Sequence, residues 1–144
     1  MKPRISFITL GVDDLERALA FYRDGLGWAT KGIVGSEFEH GAVVFFDCEG
    51  PVKLALWPRR SLAAESGAPV SMPAAPACAL AQNVDSRDAV HELMQRAELA
   101  GAVVVKPPHT TFYGGYVGYF RDPDGHLWEI AYNPGHEHLA TVTS

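Results

Sequence analysis

One order of signals runs through this chain twice, and a duplication of this kind limits the available folds more than any composition does. Ile5, Phe7, Ile8, Leu10 and Val12 form a short β-rich apolar run that halts at Asp13-Asp14. Leu15, Ala18, Leu19 and Tyr22 then recur at helical spacing. Asp13 and Glu16 stand at capping-box separation, and Gly25 is placed to end the helix. Strands are expected over about 28–34, 39–47 and 52–57, separated by Gly35-Ser36 and by Glu49-Gly50-Pro51.

The order returns after residue 76. Cys78, Leu80 and Val84 form a strand, Asp85 is placed to cap a helix with the stripe Val90, Leu93, Met94 and Ala97, and Gly101 ends it. Strands near 102–106, 115–121 and 126–132 complete the second half. Aligning the halves pairs Val12-Asp13 with Val84-Asp85, and Leu54-Ala55-Leu56-Trp57 with Glu129-Ile130-Ala131-Tyr132. The chain reads as one α+β domain over 1–144, with a βαβββ module at 5–57, a linker at 58–76 rich in Ala, Pro and Ser, a second βαβββ module at 77–133 and a tail at 134–144. A helix covers one face of each mixed sheet and leaves the other free, so two modules side by side predict an open, barrel-like cup with helices outside.

Charge and composition narrow what such a cup would hold. Twelve basic residues stand against 17 acidic ones, a net charge of −5, and the one adjacent basic pair is Arg59-Arg60, so no phosphate-tracking surface is expected and nucleic acid is not a predicted partner. No secretory leader and no run of 18 apolar residues is present, which predicts a cytoplasmic protein without a membrane partner. Cys48 and Cys78 lack CxxC spacing and read as reduced thiols. No GxSxG elbow, P-loop or dinucleotide fingerprint occurs, so covalent catalysis has no support.

The second half closes on Asp122-Pro123-Asp124-Gly125, a turn in which Pro presets φ and Gly accepts positive φ. Alternation beyond it puts His126, Trp128, Ile130 and Tyr132 on a helix-packing face and Leu127, Glu129 and Ala131 on the face toward the cup. Together with Leu10 to Ala18, Phe21-Tyr22, Gly25-Leu26-Gly27-Trp28 and Gly114-Gly115-Tyr116, the run from Phe120 to Ala131 resembles the vicinal oxygen chelate (VOC) superfamily. That superfamily includes glyoxalase I, extradiol dioxygenases, and the fosfomycin and bleomycin resistance proteins. The resemblance spans about residues 5–134.

The resemblance implies a divalent ion held by His, Glu or Gln side chains from the first and last strands of each module. Carried over, those positions are Phe7, Leu54, Ala79 and Glu129, and a slip of one residue at Leu54 gives only Lys53 or Ala55. A divalent ion needs about three or more protein ligands of suitable type, and only Glu129 supplies one, so no metal or other cofactor is expected. The alternative keeps a divalent metal through other residues, with His40 and His109 nearest to suitable places. The expected cup lining is Phe7, Leu54, Trp57, Ala79, Tyr113, Tyr116 and Glu129, with Phe45 or Phe46 added. Glu129 is the candidate catalytic residue, as a general base or as a remnant that orders Tyr or Trp donors. The resulting expectation is a glyoxalase-like or bleomycin-resistance-like homodimer that binds a small organic molecule. The alternative is an enzyme of the superfamily, a lyase, isomerase or dioxygenase, using Glu129 as base or metal ligand.

Overall fold

The repeated pattern folds into two four-stranded mixed sheets, one in each half. The computed structural model describes residues 3, 5–67, 78–112 and 114–134. It divides the chain into two units, Met1–Met72 and Pro73–Ser144.

In the first unit β1 (Phe7–Val12) pairs in parallel with β4 (Lys53–Pro58), β3 (Val43–Asp47) runs antiparallel to β4, and β2 (Ile33–Val34) closes the order β1-β4-β3-β2. Helix α1 (Leu15–Leu19) continues through a π-helical stretch, Ala20–Gly25. It buries Leu15, Ala18, Leu19 and Tyr22 against Val44, Phe46, Leu54 and Leu56. Tyr22, Trp28 and Phe46 meet ring to ring, with centroids 5.4 to 5.9 Å apart, so aromatic packing anchors this layer.

The second unit repeats the plan. The strands β5 (Ala79–Asn83), β6 (Val103–Thr110), β7 (Tyr116–Arg121) and β8 (Leu127–Tyr132) take the order β5-β8-β7-β6. Helix α3 (Arg87–Leu99) places Val90, Met94 and Ala97 on this sheet. It comes so close that a Cβ on Gly118 would stand 3.1 Å from the Met94 sulfur. The Asp122–Gly125 turn forms as expected: Asp122 Oδ1 accepts from the amides of Asp124 and His126 at 2.9 and 2.8 Å, and Gly125 takes φ 87°.

Four local expectations change. Both helix caps fall one residue later than predicted, on Asp14, which accepts from the Arg17 amide at 3.1 Å, and on Ser86, which accepts from the Ala89 amide at 3.0 Å. The cap is the last residue with extended backbone, and Asp14 and Ser86 hold φ −132° and −159°. Asp13 is left free of that role and pairs with Arg59 at 2.9 Å. Residues 28–32 are irregular rather than strand, and the chain turns over 36–41, where His40 takes φ 54°. Strand β6 outruns its prediction to Thr110, passing through Pro107-Pro108 with two register shifts, which an edge strand tolerates. Finally, part of the expected linker is helix α2 (Arg59–Ser66), while 68–77 lie outside the described residues. Helix α2 packs on β1 and β4, where a Cβ on Gly11 would meet Arg59 at 3.1 Å and Leu62 at 3.6 Å.

Candidate functional site

Residues directly opposite in a sheet share a face, so the registers assign each side chain to one side. In the first unit Phe7 stands opposite Lys53, Asp47 opposite Lys53, and Thr9 and Phe45 both opposite Ala55. These form the face turned away from α1. Leu54 has the other parity, lies opposite Ile8 and Phe46, and is only 3% exposed within the α1-packed core. The expectation that Leu54 lines the open side is thereby corrected: its neighbours in sequence, Lys53 and Ala55, occupy that side.

The registers also correct the internal alignment by one residue. Thr9 faces Ala55 in the first unit and Ala81 faces Glu129 in the second. Thr9 and Ala81 both lie three residues before the Val-Asp step that the repeat shares. Ala55 is therefore the counterpart of Glu129. The positions where the resemblance would place metal ligands become Phe7, Ala55, Ala79 and Glu129, and a phenyl ring and two methyl groups carry no lone pairs. These residues do not fit a divalent ion. Among the described residues no cluster of three or more His, Cys, Asp or Glu side chains forms elsewhere.

What the first sheet presents instead is a cleft of about 520 Å³. Its floor holds Phe7 and Phe45, edge to face with centroids 5.9 Å apart and still 50% and 42% exposed. Val34 adds apolar surface, Asp47 and Lys53 pair across the strands at 3.5 Å, and residues 29–32 form the wall. Thr30 fixes that wall: its hydroxyl donates to the Phe45 carbonyl at 2.6 Å and accepts from the Gly32 amide at 3.2 Å. At the opposite end of the same face, α2 covers Gly11. There the Trp57 indole N–H donates to the His40 carbonyl at 2.8 Å, and His40 Nδ1 lies 3.1 Å from the hydroxyl of buried Ser61. Trp57 thus belongs to the open face with its polar edge already occupied.

In the second unit Ala79 and Glu129 share the face turned away from α3, as alternation predicts. Glu129 is half-buried opposite Ala81 and Tyr119, and its carboxylate has no hydrogen-bond or ionic partner among the described residues. Tyr116 departs from expectation. It stands opposite Tyr132 on the α3 side, its hydroxyl is 2.6 Å from His91 Nε2, and the Arg87 guanidinium lies 4.9 Å from its ring centre. The register therefore puts Tyr116 on the helix-packed face, where this network engages its hydroxyl and ring. His109 belongs to β6 rather than to a loop and donates from Nδ1 to the Pro107 carbonyl at 2.9 Å. Tyr113 lies outside the described residues. Sequence reasoning missed Val34, the 29–32 wall and the Asp47–Lys53 pair. The last was recoverable, because Phe45 and Asp47 alternate onto one face of β3.

A family model described as Glyoxalase/Bleomycin resistance protein/Dioxygenase superfamily matches residues 4–130. Among solved structures, a glyoxalase-related enzyme from Fulvimarina pelagi is 36% identical with a TM-score of 0.76, over 91% of this chain and 88% of that one. A lactoylglutathione lyase from Agrobacterium tumefaciens is 28% identical with a TM-score of 0.66, over 92% and 96%. A glyoxalase/bleomycin resistance protein/dioxygenase from Nocardioides is 25% identical with a TM-score of 0.72, over 92% and 84%. No curated protein matches the chain. No helix among the described residues is long and apolar enough to cross a membrane.

Proposed function

The chain belongs to the glyoxalase/bleomycin resistance protein/dioxygenase superfamily, and from that premise we propose that it binds a small organic molecule on the open face of its first sheet without a metal ion. One observation carries this reading: Phe7, Ala55 and Ala79 stand where the superfamily's ligand positions fall, so recognition passes from coordination to apolar contact. The half-exposed Phe7–Phe45 pair supplies that contact, and the Lys53–Asp47 pair supplies polar anchors at the rim. By the same resemblance the protein acts as a homodimer.

A thermal-shift screen of small aromatic and aliphatic compounds in excess chelator tests the proposal. Binding to the native state raises Tm in proportion to saturation. The expected result is a chelator-insensitive rise for at least one compound that disappears in Phe7→Ala and Phe45→Ala. A rise that requires added divalent cation would contradict it.

Glu129 supports a second reading, an enzyme of the superfamily in which this carboxylate acts as general base. It is half-buried and its side chain is unengaged among the described residues, which leaves its oxygens open to contact a substrate. Glu129→Gln would then abolish turnover while preserving ligand affinity. Retained turnover in that variant would remove the second reading.

A further inference from the structure

We propose that the first unit's cleft selects an aromatic anion. This deepens the binding reading above and rests on it. The aromatic preference comes from Phe7 and Phe45, which meet edge to face on the cleft floor and remain 50% and 42% exposed as residues. A third ring laid against them gains offset or edge contacts that an aliphatic chain of equal area lacks. The preformed wall favours a rigid molecule, since the Thr30 hydroxyl ties residues 29–32 to β3 through the Phe45 carbonyl and braces the segment internally by accepting from the Gly32 amide.

The charge preference comes from the balance of the lining. Lys31, Lys53 and Asp47 border the cleft. Lys53 and Asp47 face each other at 3.5 Å and largely cancel. Lys31 has no carboxylate partner among the described residues, so the cleft carries one surplus positive charge on a chain whose net charge is −5. An anionic substituent on the bound ring finds an available ammonium there. A cationic one meets Lys31 and finds the single carboxylate already engaged. Carboxylate, sulfonate and phosphate esters share the required chemistry.

Two fluorescent probes of nearly the same aromatic body separate the terms: 8-anilinonaphthalene-1-sulfonate, an anion, and N-phenyl-1-naphthylamine, which is neutral. Both are titrated into the full chain at low salt, with Lys31→Ala, Lys31→Glu, Phe7→Ala and Phe45→Ala alongside. The wild type is expected to bind the anion about fivefold more tightly than the neutral probe, and added salt should erode that margin. Lys31→Ala should bring the two to parity and Lys31→Glu should invert the order, with the neutral probe's affinity changing much less than the anion's in both. Either phenylalanine variant should weaken both probes together. Parity in the wild type, or an anion preference that survives Lys31→Ala while the phenylalanine variants still weaken both probes, would overturn the charge selection alone. Binding indifferent to Phe7→Ala and Phe45→Ala would overturn the site itself, and with it this inference.

Discussion

Phe7 and Leu54 sit on opposite faces of one sheet and should respond to truncation in contrasting ways. Leu54→Ala opens a cavity among Ile8, Phe46 and α1 and should cost about 2–5 kcal/mol in urea unfolding. Phe7 is half exposed, so Phe7→Ala should cost less than ~1 kcal/mol while removing ligand-dependent stabilisation. Equal costs would mean that the two faces are wrongly assigned. The thiols offer a second check. Burial pushes the Cys48 thiol above its ordinary value, with a weaker opposing hydrogen bond from the Leu54 backbone, whereas Cys78 is exposed. A raised value means less thiolate at any pH below it, and the thiolate is the reacting species. At pH 8 a disulfide reagent such as dithionitrobenzoate should label Cys78 first and Cys48 slowly, with the Cys48 rate still climbing as pH rises further. Equal rates at pH 8 would contradict the burial of Cys48. At this scale alternation along the last strand was enough to put Glu129 on the open face, and the superfamily resemblance put Phe7 there. It misplaced Leu54 because a one-residue register error exchanges the faces of a whole strand. Tyr116 was misread because its face follows from pairing with Tyr132, which alternation had already put on the helix side, and His91 and Arg87 engage it there.

The helices were legible from their apolar stripes, yet each start lay one residue beyond the expected one. In both repeats two capping-competent residues adjoin, Asp13-Asp14 and Asp85-Ser86, and composition does not choose between them; the extended backbone at the second one does. Ser86→Ala should therefore destabilise the fold by ~1 kcal/mol, and Asp85→Ala by much less. Chemical denaturation of the two variants decides it, and the reverse order would return the cap to Asp85. Helix α2 was hidden because Arg59–Ser66 lies in a segment whose Ala, Pro and Ser content reads as linker. Its place is stabilised by tertiary contacts, namely the Arg59–Asp13 pair and the close fit of Arg59 and Leu62 over Gly11. Such contacts leave no periodic trace in sequence. The 28–32 segment was expected as strand because its composition permits one. Instead Thr30 turns its hydroxyl onto the Phe45 carbonyl and makes the segment the wall of the cleft.

For the whole chain, the duplication was the most readable feature, since each half must bury one sheet face under a helix and both halves carry the pattern to do so. The chemical content of the duplicated positions was harder to read, because it depends on strand register. Once register is known, Ala55 replaces Leu54 as the counterpart of Glu129, and the chemical content stays the same: three of the four related positions offer only hydrocarbon. The proposed function is thus that of a superfamily member which recognises its ligand through aromatic and ionic contacts in place of coordination. Elemental analysis of protein purified without chelator, by inductively coupled plasma mass spectrometry, tests this most directly. The account predicts far less than one equivalent of any divalent transition metal per chain, the same in wild type and Glu129→Gln; close to one equivalent in the wild type, lost in Glu129→Gln, would contradict it.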